Sequence, residues 1–271
     1  MNQKRKRKKS DETPPEHSAP DTETTNVLPK QALLVHLKAL RNVLVVSVIA
    51  IIAAFLAVFL GFSDQIMEFL KAPMSSRGID LVYIALSESI VMKMKVSFIV
   101  GAVLASPIIF WQIWAFLKPA LYPHEGRVVV SMFFVTVSLF LAGAIFAYFV
   151  VFRMAVAFFL LNSEGVATAM ISVEKYVGFL VSFVLPFGLM FELPVVMSLL
   201  TRSGLLTVAA FTKSRKYIFF AIFIVAAILT PPDVVSQVLL AVPLILLYEA
   251  GIIVSRITQK KAEKRRAAVG E

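Results

Sequence analysis

Cysteine is missing from all 271 residues, which excludes disulfides, thiolate catalysis and cysteine-ligated metals. Histidine is nearly as scarce. His17, His36 and His124 lie far apart, none at ligand spacing from another, so neither a metal nor any other cofactor is expected. There is no P-loop, no HExxH, no GxSxG and no Rossmann glycine pattern; the chain is expected not to be an enzyme and not to draw on ATP hydrolysis. Charge is thin: 16% of the residues are charged and 59% hydrophobic, with 23 Phe. A soluble domain would have to hide that apolar excess in one core, whereas a chain solvated by lipid need not.

Acidic residues are scarcer than basic ones, 17 Asp and Glu against 27 Lys and Arg, for a formal charge of +10. No aromatic-plus-basic platform or zinc-finger spacing accompanies the excess, so a nucleic-acid partner is not expected. The basic residues instead lie between or beyond apolar blocks, where they set orientation in a membrane. Residues 1–32 are polar, with the basic run Lys4–Lys9 and a following acidic, Pro/Thr-rich stretch, and read as a disordered tail rather than a cleavable signal peptide. Six apolar runs follow, at about 43–62, 96–117, 128–152, 177–200, 217–229 and 234–254, and 257–271 is a basic tail. Between the first two runs, Asp64–Leu70 predicts a short interfacial helix ended by Pro73, and Ser87–Lys95 a second amphipathic element. The fifth run, Tyr217–Leu229, rises only about 20 Å against a hydrocarbon core of about 30 Å, which predicts local thinning of the bilayer. With six spans and the amino terminus inside, only Lys71, Arg77, Lys93, Lys95, Arg153 and Lys175 of the 27 basic residues fall outside. The fold class is therefore all-α and polytopic, with both termini cytoplasmic.

Polar groups inside the apolar runs carry the functional signal, because each is expensive in lipid unless it faces protein, water or a partner. Glu192, in LMFELPVV, is the strongest such candidate. Glu249 divides evenly between a structural and a functional role, and Gln112 and Gln237 are weaker candidates. Glu125, beside His124 and Arg127 in the hairpin between the second and third runs, is an acid on a positive surface. On residue chemistry alone it pairs equally well with a cationic ligand or with a neighbouring cation.

Four strings then stand out in order: Phe110–Arg127, Ala142–Phe152, Phe187–Val196 and Leu229–Ile252. With six spans they resemble TatC, the multi-spanning subunit of the twin-arginine protein translocase, over about Leu33–Arg256. The resemblance implies a concave, glove-like bundle of six helices in the bacterial cytoplasmic membrane, without a cofactor. It implies a receptor that binds twin-arginine signal peptides of folded precursors and organises their transport with the proton motive force. Its implied partners are TatA- and TatB-like single-span subunits and further copies of itself. The matching positions put signal-peptide binding at His36, Leu40, Arg41, Tyr122, Glu125 and Arg127. They put partner docking at Pro73, Phe116, Glu192, Pro194 and Gln237, and a structural turn at Pro231, Pro232 and Asp233. One departure is local: the family's His-Leu-x-Glu-Leu-Arg motif reads HLKALR here, so Ala39 replaces the usual acid. The alternative function, a proton-coupled small-molecule secondary transporter, would favour internal repeats, and none is convincing between residues 43–150 and 176–254.

Overall fold

The computed structural model describes residues 29–121, 126–163, 170–230 and 233–269. The tail 1–28 and the positions Tyr122, Glu125, Pro231 and Pro232 lie outside the described residues. The chain divides into a short unit, Met1–Lys38, whose described part is the first turns of α1, and a main unit, Ala39–Glu271, which carries the rest.

Helix α1 (Pro29–Gly61) is followed by α2 (Ser63–Ser75), α3 (Glu88–Leu121) and α4 (Gly126–Phe146). A π-helical turn (Ala147–Phe152) leads from α4 into α5 (Arg153–Ser163). Then come α6 (Val173–Met190), α7 (Leu193–Arg202), α8 (Val208–Leu229) and α9 (Val234–Val269). Among the described residues five helical stretches are long and apolar enough to cross a membrane: Leu37–Gly61, Glu88–Lys118, Arg127–Leu161, Val173–Arg202 and Val234–Lys261. The most apolar part of the first is only 6% buried, and that of the last only 39%. Leu44, Ile49, Phe98, Leu104, Phe134, Ile145 and Leu246 all point outward. Apolar exposure on this scale fits lipid and not water.

Several helices differ from their sequence-predicted bounds. The second run and the amphipathic element before it form one helix, α3, because no breaker separates Lys95 from Val96. The fourth run is broken at Phe191–Glu192. Pro194 has no N–H for a fourth-preceding carbonyl and sits in the first turn of a new helix, α7, where that N–H is not needed. Helix α2 does not stop at Pro73 but continues to Ser75. Pro73 deprives the Phe69 carbonyl of its helical donor, and the Tyr148 hydroxyl donates to it instead at 3.4 Å, while Tyr176 donates to the Leu70 carbonyl at 2.8 Å. Helix α8 begins at Val208, where the Thr207 hydroxyl accepts from the Ala210 N–H, so its charged first half is helical as well. Its three cations, Lys213, Arg215 and Lys216, keep it apart from the five span-length stretches. Helix α9 carries on past Val254 into the basic tail.

The core of the main unit centres on α6, whose Phe183 and Phe187 are fully buried against Tyr148, Val151 and Phe152 of the π-turn and Leu240 and Leu244 of α9. Three crossings depend on glycine. A Cβ on Gly143 would lie 2.8 Å from the Phe187 carbonyl, one on Gly188 2.8 Å from the Phe140 ring, and one on Gly101 2.8 Å from the Phe55 backbone. Small residues let helix backbones approach where lipid supplies no hydrophobic drive to pack them.

Candidate functional site

The residues singled out from sequence begin with the expected signal-peptide set, which the structure does not bring together. Leu40 and Arg41 are exposed on α1, and His36 lies in the same helix, in the short unit. Arg127 is exposed in the first turn of α4. Tyr122 and Glu125, which complete the expected signal-peptide set, lie outside the described residues.

One place surrounds Glu192. The break between α6 and α7 puts this side chain in the interior, 7% exposed, inside a span-length apolar stretch. Neither carboxyl oxygen has a hydrogen-bond partner. The Thr136 hydroxyl and the Phe140 peptide group face it without completing a bond of good geometry. Thr136 itself accepts from the Trp114 indole N–H at 3.2 Å. Trp114 packs with Val129 and Val195, and Pro194 is buried beside them at the start of α7. Phe116 is half-buried two residues further along α3. The result is an acid without a protein partner, held among α3, α4 and α7. Such a group can accept hydrogen bonds from a donor brought by another molecule, and it is costly while left alone.

Another is the α8–α9 seam. Gln237 donates through Nε2 to the Phe223 carbonyl at 3.1 Å, so its amide is engaged between the two helices. Asp233 caps α9 by accepting from the Ser236 N–H at 2.7 Å, which gives the turn residue a structural role. Glu249, evenly divided on sequence, is paired with Arg215 of α8 at 2.6 Å. Tyr248 donates to the Phe211 carbonyl at 2.8 Å across the same seam.

Pro73 occupies a further place, beside the π-turn. It lines a cavity of about 330 Å³ with Phe69, Arg77, Tyr148, Phe152 and Arg153. Glu192, Gln237 and Pro73 thus have different neighbours, and no single cluster gathers them.

Glu88 was not singled out from sequence. It is 4% exposed at the first turn of α3, and its carboxylate accepts from the Ile84 and Ala85 N–H groups at 2.6 and 3.3 Å. Its other oxygen accepts from the Ser172 hydroxyl and the Glu174 N–H, both at 2.7 Å. Beside it β1 (Leu81–Val82) and β2 (Ile171–Ser172) pair in parallel, Leu81 opposite Ile171. One carboxylate therefore fastens the start of α3 to the start of α6. The only sequence signal is an acid at a helix N-terminus, which many surface helices share.

Among the described residues no group of acids and histidines could hold a metal ion. The family profile described as TatC, Sec-independent protein translocase protein, matches residues 35–243. The chain is 41% identical over 230 residues to the Sec-independent protein translocase protein TatC of Carboxydothermus hydrogenoformans, covering 84% of this chain and 94% of that protein. It is 35% identical over 240 residues to TatCy of Bacillus subtilis, covering 88% and 94%. A crystal structure of the twin-arginine translocase receptor TatC superposes with a TM-score of 0.77 at 36% identity, covering 82% of this chain and 99% of that one.

Proposed function

The chain belongs to the TatC family of Sec-independent protein translocase proteins, and from that premise we propose that it is the receptor which recruits folded twin-arginine cargo to the translocase and gathers its partners. It acts in twin-arginine protein translocation across the membrane, as a multi-pass helical protein and without catalysis of its own.

Orientation follows the charge. Six spans, the sixth being the apolar half of α8, put both termini and the hairpin containing Glu125 in the cytoplasm, because only six of the 27 Lys and Arg then face outward. On that face Glu125 pairs with an arginine of the signal peptide, with His36, Leu40, Arg41, Tyr122 and Arg127 framing the site. Ala39 leaves out one carboxylate of the family motif, so Glu125 carries more of the recognition here.

The observation that supports partner docking is the orphaned Glu192 carboxyl. A buried acid without a partner is stabilised once a donor reaches it, and a single-span TatA- or TatB-like helix is a ligand of suitable form for a site within the membrane. Pro194 and Phe116 belong to this docking surface, while Gln237 and Pro73 meet partners at separate places on the bundle. The receptor assembles with further copies of itself, and the proton motive force drives the later steps.

Crosslinking of a twin-arginine signal peptide to wild type and to Glu125→Ala tests the recognition half. The variant loses most of the crosslink; undiminished crosslinking would remove Glu125 from the site.

A further inference from the structure

The cavity beside Pro73 has a chemistry that neither signal-peptide recognition nor partner docking requires. Its walls come from α2 and the turn after it (Phe69, Pro73, Arg77) and from the π-turn and α5 (Tyr148, Phe152, Arg153). Two lining residues are arginines and none is acidic. The acids of α2, Asp64 and Glu68, line a neighbouring cavity that shares only Ala72 with the first, together with Lys71 and Lys93, and Asp64 is paired with Lys93 there. The Arg153 guanidinium is laid over the Phe149 ring at 4.9 Å and the Tyr148 ring at 5.7 Å, which fixes it at the cavity edge. Arg77 is exposed on the turn that closes α2 at Gly78, whose φ of 71° directs the chain away from the helix.

The level of this cavity in the membrane follows from length. The apolar run Val128–Phe152 rises about 37 Å, longer than a hydrocarbon core of about 30 Å, so Arg153 at its end lies near the headgroups. Just short of it along the same helix, Phe149, whose ring lies under the Arg153 guanidinium, is exposed and apolar. Two guanidiniums at headgroup depth, an aromatic floor and an apolar wall leading into the hydrocarbon together match one molecule: a phospholipid with net negative charge.

We propose that the cavity between α2 and the π-turn is a binding site for an anionic phospholipid, with its phosphate held by Arg77 and Arg153 and an acyl chain lying along the exposed Phe149 ring. Guanidinium and phosphate oxygens form paired, charge-assisted hydrogen bonds, which favours the headgroup over a zwitterionic one whose own ammonium competes. On the orientation given above the lipid comes from the outer leaflet. Bound there, it fills the space between α2 and α5 and ties both to the membrane surface.

Native mass spectrometry of the purified full chain, titrated with phosphatidylglycerol and separately with phosphatidylcholine, tests this. Arg77→Gln/Arg153→Gln weakens phosphatidylglycerol binding roughly tenfold and leaves phosphatidylcholine unchanged, whereas Arg77→Lys/Arg153→Lys retains part of the affinity. Lys260→Gln/Lys261→Gln removes the same charge elsewhere on the chain and leaves binding as in wild type. Equal phosphatidylglycerol binding by the double arginine variant overturns the proposal, and so does an equal loss in the lysine control. Displacement of the lipid by millimolar inorganic phosphate overturns it in favour of a soluble-anion site. Should the double variant fail to fold, the single variants Arg77→Gln and Arg153→Gln give the same reading; wild-type affinity in both contradicts the site.

Discussion

At the scale of single residues, two buried acids behave in opposite ways. Glu88 makes four hydrogen bonds that join α3 to α6, while Glu192 makes none. Glu88→Ala is therefore expected to lower stability by about 1–3 kcal/mol, since backbone and hydroxyl donors lose their acceptor, and thermal melting in detergent measures it. Glu192→Leu is expected to leave the melting temperature equal or higher, because an uncompensated polar group disappears, yet to abolish export of twin-arginine cargo. A destabilised Glu192→Leu protein would mean that the carboxyl is structurally paired. Ala39→Glu should tighten twin-arginine peptide binding several-fold, as a second carboxylate meets a dication; unchanged affinity would show the position to be idle. Glu192 was legible in the sequence because a charge inside an apolar run has few explanations. Glu88 was not, because Ser172 and Glu174 lie 84 and 86 residues away along the chain.

Elements were legible where composition alone decides them. The apolar runs became helices, but three local features depart from hydropathy, and only the first needs a tertiary partner to explain it. Pro73 marks a stop on sequence, yet α2 passes through it because Tyr148, from a distant element, takes over the freed Phe69 carbonyl. Pro194 breaks a run that hydropathy reads as continuous. Thr207 starts α8 earlier than its apolar half implies. Close crossings at Gly143 and Gly188 lead to a stability prediction. Gly143→Leu or Gly188→Leu forces α4 and α6 apart and costs about 1–3 kcal/mol or more, read as a lower melting temperature of the purified protein. The Arg215–Glu249 pair is partly exposed, so a double-mutant cycle with Arg215→Gln and Glu249→Gln is expected to give a coupling of only about 1 kcal/mol or less. The short apolar half of α8 predicts a thinned bilayer beside α8 and α9, to be seen as shallow spin-label depths there; normal thickness would contradict it.

On the scale of the whole molecule, the chain couples a sparse charge inventory to a membrane fold. The five span-length stretches among the described residues keep most of their apolar surface for lipid, and of the polar groups within them Gln237 is engaged while Glu192 is held in reserve. Family membership was legible because several long strings occur in one order, which no single motif could have shown. The level at which a lipid-facing cavity opens beside the π-turn was not, since it depends on two elements separated by the whole of α3 and α4. The central claim is that this chain recognises paired arginines. Binding of a twin-arginine signal peptide to the purified full chain in lipid nanodiscs, compared with the same peptide carrying paired lysines, measures it most directly. Tighter binding of the arginine peptide, lost in Glu125→Ala, is the expected result; equal binding of the two peptides, or of neither, would contradict it.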